Sequence, residues 1–177
     1  MKLYPVEAGN FKLDGGAMFG VVPKTLWSRT NPADQNNMID IGARCLLIED
    51  GNQLTLIDNG LGDKQSEKFF SHYHQWGDFN LDSSLKKLGF HTDDITDVFL
   101  THLHFDHGGG ATKLDRTGSA VPAFPKAKYM VQEACWDEAN SPNERYLDRF
   151  YEDDFLPLQE KGMLTLLEGD SEVIPGV

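Results

Sequence analysis

The chain has 177 residues, 40% hydrophobic and 25% charged, a size and balance that fit one globular domain and exclude a disordered or fibrous protein. Its formal net charge of −12 comes from 28 acidic against 16 basic side chains. Such a surface repels phosphate backbones, and only Lys86 and Lys87 are adjacent, so no nucleic-acid partner is expected.

Met1 to Glu7 contains no apolar signal region, and no apolar run approaches the roughly 18 residues of a membrane span. A cytoplasmic protein with no membrane partner is therefore expected. Cys45 and Cys135 stand outside any C-x-x-C pair, which favours two buried free thiols over a disulfide.

In chain order, Leu3 to Phe11 reads as a first strand, and Gly15 to Trp27 as a glycine-punctuated apolar hairpin with an exposed tip. Ser28 to Asn37 is loop. Arg44–Glu49 and Gln53–Asp58 are β-rich runs on either side of Asp50-Gly51-Asn52, a strong hairpin signal. Lys64 to Trp76 reads as an aromatic-rich helix. Leu81, Leu85 and Leu88 share one helical face, and Gly89 stops that helix. Thr96 to Thr101 is a short buried strand, and Gly108-Gly109-Gly110 a flexible turn. Tyr129 to Val131 reads as a strand, Glu133–Asn140 and Glu144–Phe155 as helices, and Leu164–Leu167 as a strand. A last strand is expected to begin within Glu172 to Val177. Strands and helices mixed in this way predict a layered α/β (α+β) domain over residues 1–177.

The chemistry lies in Thr101-His102-Leu103-His104-Phe105-Asp106-His107-Gly108. Three of the six histidines and one aspartate fall within six residues, directly behind an apolar strand. Imidazole and carboxylate donors suit zinc, manganese or iron. If the chain leaves the strand extended, His102 and His104 point to one side, and a tight turn can bring Asp106 and His107 beside them. His72, His74 and His91 lack such a context. The first two do not share a helix face, and neither they nor His91 are expected to bind metal.

The segment THLHFDHGG resembles the H-x-H-x-D-H signature of the metallo-β-lactamase superfamily. The resemblance implies an αββα sandwich with His102 and His104 on a first divalent metal and Asp106 and His107 on a second. Zinc is the expected metal, with manganese or iron as alternatives. It implies a hydrolase in which the metals activate water and Asp106 orients the nucleophile or moves a proton. Leu56-Ile57-Asp58-Asn59-Gly60 resembles the family's L-I-D-T-G element, with Asn59 where threonine is usual. Asp58 would then lie beneath the ligands and orient them; the alternative is an aspartate that simply ends a strand.

The string GGAMFGVVPK resembles the lactonase-like and organophosphate-hydrolase-like members, in which an early loop covers the metals. Met18, Phe19 and Trp27 would then contact a small ester, lactone or phosphoester, unless they pack a first hairpin. Alternatives are a thioester hydrolase of the glyoxalase II type, a flavodiiron-like redox protein and an inactive fragment. Homodimerisation is open. The family supplies further ligands beyond its first motif, whereas no histidine follows His107 here. Two protein ligands per metal are too few for a catalytic zinc. The sandwich is therefore expected to lack its C-terminal part and to leave one apolar sheet face uncovered.

Overall fold

The computed structural model describes residues 1–177. Its sheet begins with a long hairpin, β1 (Lys2–Asp14) against β2 (Met38–Asp50), and β2 then turns at Gly51 into β3 (Gln53–Ile57). Gly51 has φ +59°, a conformation that glycine adopts without a Cβ clash. Three parallel strands extend the sheet: β4 (Asp97–Leu100), β7 (Lys128–Gln132) and β8 (Leu164–Leu167). Its order is β1-β2-β3-β4-β7-β8. Two short strands, β5 (Thr112–Leu114) and β6 (Ala120–Pro122), form a separate ribbon.

The strand register gives the two faces different fates. Tyr4, Leu47, Leu56, Val98, Tyr129 and Leu164 oppose one another in one row. This row packs with Leu85, Phe124, Trp136, Phe155 and Leu158 in the main core. Each fully buried large side chain there stabilises the fold by about 1.5–3 kcal/mol. The adjacent row, which points to the opposite face, contains Leu46, Ile57, Phe99 and Met130, all half-buried. The face expected to lie uncovered is partly covered, since Ile48 and Thr55 on the same side are 2% and 0% exposed.

Helices fill the crossovers: α3 (Glu67–Tyr73) and α4 (Leu81–Lys87) between β3 and β4, and α6 (Glu133–Asn140) and α7 (Glu152–Glu160) between β7 and β8. Asn80 caps α4 through its side chain and Ser83 returns the bond, a full capping box. No helix is long and apolar enough to cross a membrane.

Several expectations need correction. Gly15 to Trp27 is not a hairpin but two short helices, α1 (Gly15–Phe19) and α2 (Lys24–Trp27). Asp14 caps the first by accepting from Ala17 N at 2.8 Å, and Phe19 stacks on Trp27 at 5.1 Å. The helix expected over Glu144–Phe155 starts only at Glu152, after a 3-10 turn at Leu147–Arg149. Glu172 to Val177 forms turns rather than strand. Gly108 to Gly110 is a buried helical segment, part of α5 (Phe105–Gly108) and the 3-10 turn that follows. Both cysteines are free, but only Cys45 is buried; Cys135 is partly exposed.

Candidate metal centre

The histidine cluster sits where open α/β sheets place their sites, beyond the carboxyl ends of neighbouring parallel strands. The strands β3 and β4 end together, and Asp58 N donates to Phe99 O at 2.9 Å. Asp58 then takes φ +57°, a left-handed turn that aspartate tolerates better than most residues. The turn aims its carboxylate at the motif.

Three groups meet that carboxylate. Thr101 N donates to it at 2.8 Å, and Thr101 Oγ1 lies 3.0 and 2.9 Å from its two oxygens. His107 Nδ1 lies 2.9 Å from Oδ2. With the Thr101 hydroxyl proton directed at Asp58, the 3.0 Å contact from Thr101 Oγ1 to His102 Nδ1 assigns the ring proton to Nδ1. His102 and His107 thus both turn Nε2 outward as a lone-pair donor.

The motif is also anchored from behind. Phe105, between two of the candidate donors, is buried in a cluster with Phe11, Ala43 and Leu61, and its ring lies 5.4 Å from Phe69, 4.7 Å from Tyr73 and 6.1 Å from Tyr151. Phe105 at the start of α5 turns the chain so that Asp106 and His107 rejoin His102. The His102 ring is 4.5 Å from His104 and 4.1 Å from His107, and His107 Nε2 is 3.5 Å from Asp106 Oδ2.

Burial holds His102 and His104 below the ordinary histidine range, and the neighbouring His107 adds to the effect at His102. His107 shifts upward instead, because its hydrogen bond to Asp58 outweighs burial. The four donors fit divalent metal chemically, and two of their rings are pre-oriented. No three His, Cys, Asp or Glu side chains converge as a complete cage. The residues present therefore fit as donor pairs and not as finished metal sites.

Two clefts flank the cluster. One, of about 290 Å³, is lined by His102, His104, Cys135, Glu138, Arg149 and Phe150, among others; the Phe150 ring is 4.9 Å from that of His104. The other, of about 250 Å³, lies on the side of Asp58, Asp106 and His107. Cys135, Glu138, Tyr146, Arg149 and Phe150 carry no local signal in the sequence. Only their place after β7, at the same end of the sheet, marks them. Met18, Phe19 and Trp27 line neither cleft. Trp27 is 5% exposed and abuts Gly15, whereas Met18 is 47% exposed.

Glycines and one lysine hold the loop. A Cβ on Gly109 would lie 2.3 Å from Leu61 O, and one on Gly110 would lie 2.3 Å from Asn59 O. Asn59 N donates to His107 O and Gly110 N to Gly60 O, each at 2.9 Å. Lys64 Nζ donates to Gly109 O and lies 2.5 Å from Asp154 Oδ1, the two side chains being 1% and 2% exposed.

Comparison with known proteins places this geometry. Residues 40–175 match the family model described as the metallo-beta-lactamase superfamily. An N-acyl homoserine lactonase of Bacillus cereus is 27% identical over 187 residues, covering 99% of this chain and 63% of its own length. A second N-acyl homoserine lactonase, from a Bacillus species, is 30% identical with the same coverage. The structure of a probable metal-dependent hydrolase from Staphylococcus aureus superposes with a TM-score of 0.87 at 34% identity, over 99% of this chain and 61% of that one. The dizinc quorum-quenching lactonase AidC shares the fold, with a TM-score of 0.69 at 22% identity over 98% of this chain and 60% of its own. The chain thus spans about 63% of the length of these curated lactonases. On the match over residues 40–175, the chain belongs to the metallo-beta-lactamase superfamily.

Proposed function

We propose that the whole protein is a metal-dependent hydrolase that opens lactones, N-acyl homoserine lactones first among them, at a centre built on His102, His104, Asp106 and His107. The observation that carries this reading is the pairwise proximity of His102 to His104 and to His107, and of His107 to Asp106, at the strand ends, with Asp58 bonded to His107. The likeness to N-acyl homoserine lactonases of Bacillus supports the substrate class.

His102 and His104 would hold one divalent ion, and Asp106 and His107 a second, with zinc the expected metal. Further ligands would come from outside residues 1–177. When bound, such ions make water nucleophilic near neutral pH and polarise a carbonyl. The chain's own residues do the rest. Asp58 fixes the His107 ring through Nδ1, so Nε2 is presented in one direction. Asp106, beside His107 Nε2, orients the attacking water and carries its proton towards the ring oxygen that leaves. Tyr146, Arg149 and Phe150 form the wall against which the substrate lies; Met18, Phe19 and Trp27 do not line that cleft.

Asp58→Ala is expected to weaken zinc affinity by about 10–100-fold, the usual effect of removing a partner that orients a metal-bound histidine. Competition with a chromophoric chelator measures this. Unchanged affinity would reduce Asp58 to a residue that ends a strand. For the substrate, N-hexanoyl-homoserine lactone should be ring-opened by the full-length, zinc-loaded protein, with loss of activity in chelator and recovery on adding zinc. Turnover of thioesters in place of lactones would overturn the substrate class.

A further inference from the structure

Lys64 and Asp154 face each other almost fully buried, at 1% and 2% exposure. Oδ1 of Asp154 lies 2.5 Å from the Lys64 ammonium, a charge-assisted contact. Burial pushes the Asp154 carboxyl upward, and Lys64 pulls it back. For stability alone, such a pair is a poor choice, because well-packed apolar residues of similar size hold a core as well or better. An apolar residue could not, however, donate to Gly109 O, as Lys64 does.

That carbonyl lies two residues beyond His107, in a loop with little other freedom. Gly109 and Gly110 press backbone to backbone on Leu61 and Asn59, with Cβ room at neither. Two main-chain bonds, Asn59 N to His107 O and Gly110 N to Gly60 O, tie the loops from one side. Lys64 ties them from the other. Its anchor Asp154 sits in α7, four residues after Phe150, whose ring packs on His104. One buried ammonium thus joins the loop after β3, the histidine loop and the helix that follows the cleft wall.

We infer that Lys64 is a positioning residue of the metal centre: held by Asp154, it fixes the Gly109 carbonyl and thereby the point at which His107 presents Nε2. The inference rests on the metal-binding reading proposed above. In the full-length protein, Lys64→Met strands Asp154 and should lower the thermal midpoint. Adding Asp154→Leu removes the stranded charge and should restore the midpoint. Zinc affinity should nevertheless stay about 10–100-fold weaker than wild type, and the loss of turnover should fall on kcat more than on KM.

Wild-type zinc affinity in the Lys64→Met/Asp154→Leu variant would overturn the role of Lys64 and leave the metal reading standing. A wild-type protein that binds no zinc would overturn both. A second pair guards against misfolding. Lys64→Gln with Asp154→Asn keeps a donor for Gly109 O without charge and should retain more zinc affinity than the apolar pair. The reverse order would contradict the positioning role.

Discussion

Replacing His102 with alanine is expected to cut lactone hydrolysis by the full-length protein at least about 100-fold while leaving it folded. The magnitude follows from a comparison: partners one step behind a metal-bound histidine are worth 10–100-fold, and a direct ligand should be worth no less. The fold should survive because His102 is only half-buried, and its one hydrogen-bonding contact is with the exposed Thr101 hydroxyl. Burial also holds its pKa down, so removing the ring costs no buried charge. Stability should change by no more than about 1 kcal/mol. Parallel assays of turnover and thermal midpoint check both halves. Undiminished hydrolysis in this variant would rule out His102 as a ligand.

A second large effect is expected from Gly110→Ala. The added Cβ would lie 2.3 Å from Asn59 O and 3.2 Å from Asn59 C. That backbone cannot move away freely, because Gly110 N is bonded to Gly60 O and Asn59 N to His107 O. Overpacking against fixed backbone should destabilise by about 3 kcal/mol or more, read as a lower urea midpoint. Gly108→Ala makes the control, since the nearest atoms to its Cβ are 3.8 Å away. It should fall within about 1 kcal/mol of wild type, alanine being the better helix former. Equal effects at the two positions would show that close loop packing is not what Gly110 supplies.

The contrast also shows what was legible. Three glycines in a row read as a flexible turn, yet they form a buried helical segment in which Gly109 and Gly110 are needed for their small size. The four side chains proposed as donors stand out in the sequence, since imidazoles and a carboxylate clustered behind an apolar strand are rare without a reason. The β2–β3 hairpin was legible from Asp50-Gly51-Asn52. The helices α1 and α2 were not, because Gly15 and Gly16 are poor helix formers and the turn is held by the Asp14 cap and the Phe19–Trp27 stack. In α7, Pro157 lies inside the helix, where local propensity argues against it. Asp58 was legible only by resemblance; its bonds to Thr101 and His107 span more than forty residues of sequence. Lys64, Asp154 and the cleft wall were not legible at all, since they meet through crossovers that no local pattern encodes.

Whether these four side chains hold catalytic metal is tested most directly by the metal content of the full-length protein. About two zinc ions per chain are expected in the wild type, with a loss in the His102→Ala and His107→Ala variants and a matching loss of hydrolysis. Unchanged metal content in a variant lacking all four side chains would contradict the assignment. Bound iron with a redox-active optical spectrum and no hydrolysis would contradict the chemistry.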